Sequence, residues 1–385
     1  MRELTTTEEA RAFILSPDFQ PAAYRNVDLR PLASVMAGKS FGGSLFLGCD
    51  LDPATVCQVA SGGAYLIHHN EQFSFPIHRS ALYTADELFR GFDPDDPDSH
   101  LRTLDHRVYL EYVQAGRQFS ESIQVTLARR LHDHSITEAL EQKLFGRKVV
   151  AIMGGHGMER RDPLYFQVAQ IARRLTQAGF LLISGGGPGA MEATHVGAFF
   201  ATRESEVMLD AVRHMSVRPP DTSPNKEYAD PDWLHRAWKM REAFPIPKGD
   251  ETKCESVGIP TWTYGHEPPA VFASHIGKYF ANSVREDGLL TIANHGVIFA
   301  PGSAGTIQEI FQEACQNHYF VVNNQCSPMV LFGKQYWTEK KPVWPLLSHL
   351  AEGMMYEELL DLTDSVDTVV RRILSYRPDL YFKAP

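Results

Sequence analysis

The chain has 385 residues, 43% of them apolar, and a formal net charge of −10, with 37 Lys and Arg against 47 Asp and Glu. That is ample apolar material for two or three domains with buried cores, and the acidic balance opposes binding along a nucleic-acid backbone, which needs a basic surface. Cys49, Cys57, Cys254, Cys315 and Cys326 are scattered without a CxxC pair, which argues against a disulfide framework or a zinc cluster, and no apolar run reaches about 18 residues; a soluble, cytoplasmic protein without membrane contact is expected.

Residues 1–145 lack a regular strand-loop-helix rhythm and read as a small N-terminal α+β domain, expected to regulate or assemble the rest. A Thr-x-x-Glu pattern, Thr5 to Glu8 or Thr6 to Glu9, signals a helix start. Short apolar runs follow at Gly43–Gly48 and Gly63–Ile67. His68, His69 and His78 invite a metal site, but adjacent residues of a strand face opposite sides and no further ligand has a recognisable spacing, so no metal is expected. The acidic loop from Phe92 to Asp98 lacks the glycine and closing glutamate of an EF-hand and reads as solvated. Helical stretches at 105–119 and 122–144 lead to a boundary at Gly146-Arg147.

From Lys148 the pattern changes to α/β, a doubly wound, parallel, Rossmann-like sheet. The apolar run Lys148–Met153 ends in Gly154-Gly155-His156-Gly157. A helix follows over 163–178, with Leu164, Val168, Ile171, Ala172 and Leu175 on one face. Arg160 and Arg161 before it read as solvated and are left out of the site. Phe180–Ile183 is a second strand, followed by Ser184-Gly185-Gly186-Gly187-Pro188-Gly189-Ala190-Met191-Glu192 and a helical run. Residues 202–253 form an insertion, with Arg218–Asn225 rich in turn formers and Tyr228–Trp238 rich in aromatics; a lid, a recognition wall and an oligomer arm are all open readings. The sheet resumes at Glu255–Pro260, and 269–285 has helical spacing with Val271, Phe272, Ile276, Phe280 and Val284 inward. Val297–Ala300 is a further buried strand, then Pro301-Gly302-Ser303-Ala304-Gly305-Thr306 opens a helix carrying Glu309. Pro328–Phe332 is expected to complete the sheet, with helices at 344–352 and 366–376 and Thr363-Asp364-Ser365 as a cap.

Three strand-to-glycine-loop junctions converge where open parallel sheets bind ligands, and such loops aim helix-start N–H groups at phosphate. Glu309 is a carboxylate in that crevice; it either acts on another part of the ligand or only offsets the helix dipole.

The strings SGGGPGAME (Ser184–Glu192) and PGSAGTIQE (Pro301–Glu309) resemble the GGGxxGxMG and PGGxGTxxE motifs of the LOG (Lonely guy) phosphoribohydrolases, long mislabelled lysine decarboxylases. Met153–His156 is similar to that family's first loop and Val257–Pro260 to its VxGVIP strand. The resemblance spans roughly 148–320 without the insertion, and the chain's length looks more like the bacterial pyrimidine/purine nucleotide 5'-monophosphate nucleosidases. It implies hydrolysis of the N-glycosidic bond of a nucleoside monophosphate to free base and ribose 5-phosphate, in a homo-oligomer that needs no metal or organic cofactor. Carried over by residue, it implies Glu309 and Arg285 as catalytic. Gly154, Gly155, His156, Ser184, Gly185, Gly186, Gly187, Gly189, Ala190, Met191, Glu192, Gly302, Ser303, Ala304, Gly305 and Thr306 would hold the substrate and its phosphate. Ser303 replaces a family glycine, which is harmless if that position does not need positive φ, and Glu286 stands where the family often has lysine.

Two other functions remain as alternatives. A nucleotide sensor would keep the loops without turnover. A dinucleotide-dependent oxidoreductase needs an acid about 20 residues beyond its glycines at a strand end, and here Arg203–Glu206 is helical instead. No lysine stands in a recognisable pyridoxal-phosphate setting, so a decarboxylase has no support.

Overall fold

The computed structural model describes residues 1–68, 73–96, 98–120, 122–216, 226–265, 269 and 271–382. The chain forms two compact units: Met1–Leu82 with Glu111–Lys143, and Tyr83–Leu110 with Leu144–Pro385.

In the first unit four short strands, β1 (Arg2–Leu4), β2 (Ala22–Arg25), β3 (Leu45–Leu47) and β4 (Tyr65–Ile67), pair in parallel in chain order. The first helix, Thr7–Leu15, starts at the Thr6–Glu9 alternative. The Thr6 hydroxyl accepts from the Glu9 N–H at 3.2 Å, and the Glu9 carboxylate reaches back to the Thr5 N–H. Tyr24 and Phe46 stack at 4.8 Å in a core completed by Leu4, Phe13, Ile14 and Val59. His78 is buried in this unit, and His69 lies outside the described residues. Among the described residues no group of three or more His, Cys, Asp or Glu is placed to hold a metal ion.

The second unit is the doubly wound α/β body. Its strands are β5 (Val149–Met153), β6 (Leu181–Ser184), β7 (Ser256–Gly258), β8 (His275–Ile276), β9 (Val297–Phe299), β10 (Met329–Phe332) and β11 (Leu360–Thr363). All pair in parallel in the order β11-β10-β9-β5-β6-β7-β8. Strands β5 and β6 are buried along their whole length, as expected of uninterrupted apolar runs covered on both faces. From β5 the chain winds one way to β6, β7 and β8 and the other way through β9 to β11. The direction reverses between β5 and β9, and a crevice opens at their carboxyl ends.

Two sequence expectations fail in this unit. Residues 269–285 are not one helix: the chain runs extended through β8, and the helix is Asn282–Thr291. The apolar residues Val271, Phe272, Ile276 and Phe280 are buried as expected, but Val284 is 39% exposed. Edge pairing overrides the helical spacing here. β8 is held to β7, the Gly277 N–H donates to Gly258 O, and the Ser274 hydroxyl bridges the Ser256 backbone. Nor does Pro328–Phe332 close the sheet, because β11 adds beyond β10; its half-polar LDLT sequence suits an edge and gives no buried-strand signal. Ser365 does cap the last long helix, Val366–Ser375.

The insertion is largely helical, with Ser205–Met215 and Trp233–Ala243 in helices; Arg218–Asn225 lies outside the described residues. In the acidic loop Asp95 pairs with Lys239 and Asp96 with Arg102, while Pro97 lies outside the described residues. Among the described residues no helix is long and apolar enough to cross a membrane.

Candidate functional site

The loops that follow β5, β6 and β9 are fastened to one another by backbone hydrogen bonds. The Gly155 N–H donates to Pro301 O at 3.0 Å, and Gly155 O accepts from the Ala190 N–H at 3.2 Å. Such close approach requires the absence of side chains. At Gly189, with φ at +72°, a Cβ would stand 2.4 Å from Gly155 O; at Gly302 it would stand 2.9 Å from the Gly155 backbone nitrogen. Part of the glycine content therefore lets three loops pack together rather than letting a ligand approach.

A pocket of about 950 Å³ opens beside these loops. Gly154, Gly155, His156, Gly185, Gly186, Gly187, Met191, Gly302, Ser303, Ala304, Gly305, Thr306, Arg285 and Glu309 all line it. Ser303 has φ of −105°, so serine is tolerated where the family motif has glycine. It precedes the Ala304–Tyr319 helix without making a side-chain cap, so its hydroxyl does not take up the first N–H groups of that helix.

Four expected site residues sit elsewhere. The Ser184 hydroxyl donates to Ile152 O inside the sheet. Gly189 and Ala190 are taken up in the loop packing just described. Glu192 is fully buried and faces away, paired with Arg160 at 2.6 Å and accepting from the Tyr165 hydroxyl at 2.8 Å. Arg160 itself is 2% exposed and lies over the Trp233 ring at 4.0 Å, so the expectation of a solvated arginine is corrected. Its doublet partner Arg161 is exposed, as expected.

Arg285 comes from the Asn282–Thr291 helix. Its Nε donates to Ile259 O at 2.9 Å, and one terminal nitrogen stands 3.9 Å from Glu309. Glu309 is 8% exposed. Burial pushes its carboxyl up to about 7, with Arg285 pulling down and Glu286 pushing up. A carboxyl poised there can take or give a proton near neutral pH. Glu286 is held by Asn282 and Gln308, so it lines the pocket as an anchored acid rather than as a cation.

The sequence reading missed Thr261, Tyr264, Lys278, Tyr336 and Lys340, which also line the pocket. No motif marks them. Tyr336 and Lys340 do follow β10 directly, and position at the carboxyl end of a parallel strand was the signal available. Lys278 is buried in an ion pair with Asp105 at 2.6 Å.

No family model matches the chain, and no curated protein matches it. Among solved structures, the molybdenum cofactor binding protein from the phototrophic bacterium Rippkaea orientalis is 13% identical, with a TM-score of 0.35 over 60% of this chain and 96% of that one. The molybdenum cofactor carrier protein from Chlamydomonas reinhardtii is 14% identical, with a TM-score of 0.36 over 60% of this chain and 98% of that one. At these values the likeness carries no statement about ligand or activity. The expected family is nevertheless corrected. These structures are molybdenum cofactor proteins, and neither a family model nor a curated protein supports a LOG phosphoribohydrolase. The nucleotide nucleosidase, its glycosidase chemistry and the nucleotide-sensor alternative are withdrawn with it.

Proposed function

We propose that the second unit is an enzyme that binds a small phosphate-bearing organic molecule at the β5/β9 crevice and moves a proton on it through Glu309. The observation that carries this reading is the uncapped start of the Ala304–Tyr319 helix, opening onto a pocket where three glycine loops meet a half-buried arginine beside a buried carboxyl. Helix-start N–H groups and the positive end of the dipole favour a phosphate. Arg285, 3.9 Å from Glu309, limits how far burial raises its carboxyl. The chain's own residues supply these elements.

We further propose that the protein works in the cytoplasm as a homo-oligomer. Its scattered cysteines suit a reducing compartment, and the exposed Leu346 and Leu350, four residues apart on the Trp344–Ala351 helix, suit a contact between copies. Light scattering at the 43.2 kDa monomer mass over the whole working concentration range would contradict the oligomer.

The test of the ligand reading is a thermal-shift panel of sugar phosphates and phosphorylated heterocycles, each beside its unphosphorylated counterpart, with the molybdenum cofactor as one further ligand. Mass spectrometry of the incubated mixtures reads turnover. Phosphate-bearing members should stabilise the protein and their counterparts should not. At least one should be converted by the wild type and not by Glu309→Gln. Equal stabilisation by unphosphorylated counterparts overturns the phosphate reading.

A further inference from the structure

Residues Tyr336–Lys340 form a π-helical turn, closed by the Lys341 N–H donating to Tyr336 O at 2.7 Å. Such turns are rare and concentrate at functional sites. This one is anchored from below. The Trp337 indole is fully buried and donates to Phe299 O at 3.2 Å and Phe332 O at 3.0 Å, the last residues of β9 and β10. With Trp337 fixed to the two strand ends, Tyr336 and Lys340 are both held at the pocket.

Each has a distinct relation to the site. The Tyr336 hydroxyl donates to Gly302 O at 2.6 Å. That bond fixes the peptide plane between Gly302 and Ser303, and hence the direction of the Ser303 N–H, since the two groups of a trans peptide point oppositely. Lys340 is exposed and makes no side-chain hydrogen bond or ion pair among the described residues. Of the other lining cations, Lys278 is held by Asp105, and Arg285 spends its Nε on Ile259 O and stands 3.9 Å from Glu309. Lys340 is thus a lining cation with no side-chain partner among the described residues.

We infer that the π-helical turn is the second wall of the ligand site: Tyr336 positions the glycine-loop peptide, and Lys340 meets a second negative group, so the ligand carries two anionic groups. This rests on the phosphate reading above. A ligand with one phosphate and a neutral remainder would leave Lys340 without a partner, whereas a diphosphate, or a phosphate with a carboxylate, engages both walls.

Calorimetric titration of the full chain with inorganic phosphate and with pyrophosphate tests it. The wild type should bind pyrophosphate about tenfold more tightly than phosphate. Lys340→Gln should bring pyrophosphate down to the level of phosphate, and Lys340→Arg should restore the preference. Tyr336→Phe should weaken both anions severalfold, keep their ratio and leave the melting temperature unchanged, which a merely structural tyrosine would not do. An undiminished pyrophosphate preference in Lys340→Gln overturns the inference while leaving the phosphate reading standing. A wild type that binds neither anion overturns the phosphate reading, and this inference with it.

Discussion

Two arginine-glutamate pairs in the second unit differ in every respect that separates scaffolding from chemistry. Arg160 and Glu192 meet through two hydrogen bonds of 2.9 and 2.6 Å, with Tyr165, Trp233 and the Trp233 carbonyl completing the shell. Arg285 and Glu309 stand 3.9 Å apart at the pocket wall, and the carboxyl is raised to about 7. The first pair is satisfied, so its charges are held and its role is to fasten the helix Ala190–Phe199 to the insertion. The second is loose, so its carboxylate is left available to a ligand.

Breaking the tight pair should have the largest effect on stability. Arg160→Ala leaves the Glu192 carboxylate buried without its partner, and urea unfolding should show a loss of roughly 3–5 kcal/mol; a loss below about 1 kcal/mol would mean that water enters and that the contrast is false. The loose pair should act through pH. The Glu309 carboxyl sits at about 7 in the folded state against an ordinary value of 4.5. Between those values the folded state holds a proton that the unfolded state lacks, so the associated stability is complete below pH ~4.5 and is lost as pH rises through ~7. Glu309→Gln removes that dependence. It should match the wild type at pH ~4 and exceed it at pH ~8 by up to roughly 3 kcal/mol, and parallel stability curves for the two proteins would refute the raised carboxyl. The glycines sharpen the comparison on a smaller scale. Gly189→Ala forces a Cβ against Gly155 O at positive φ and should cost about 1–3 kcal/mol. Gly305→Ala meets open space and should gain up to about 1 kcal/mol. Equal melting temperatures for these two variants would remove the distinction between packing and ligand-facing glycines.

Strands β5, β6 and β9 with their loops were legible because buried parallel strands are uninterrupted apolar runs and the glycines punctuate them. What the loops do was only partly legible. Ser184, Gly189, Ala190 and Glu192 belong to the same string as Gly185–Gly187, yet the direction in which each faces is set by tertiary contacts that no spacing encodes. Arg160 read as solvated because its partners, Glu192, Glu227 and Trp233, lie 32 or more residues away along the chain. The segment 269–285 misled because apolar residues repeating every four positions from Phe272 to Val284 suit a helix, while pairing with β7 decided otherwise. The π-helical turn carries no sequence pattern at all.

The central claim is that phosphate sits on the glycine loops at the β5/β9 crevice. Hydrogen exchange on the full chain, with and without saturating inorganic phosphate, tests it by location. A second pocket of about 390 Å³ at the opposite, amino ends of the strands, lined by Arg147, Phe180 and Glu255, serves as an internal control. Exchange should slow at the amides of Gly302–Ile307 and Gly154–Met158, with the amides around Arg147 and Lys253 unchanged. Unchanged exchange at Gly302–Ile307 under phosphate, or slowing only at the amino-end pocket, would contradict it.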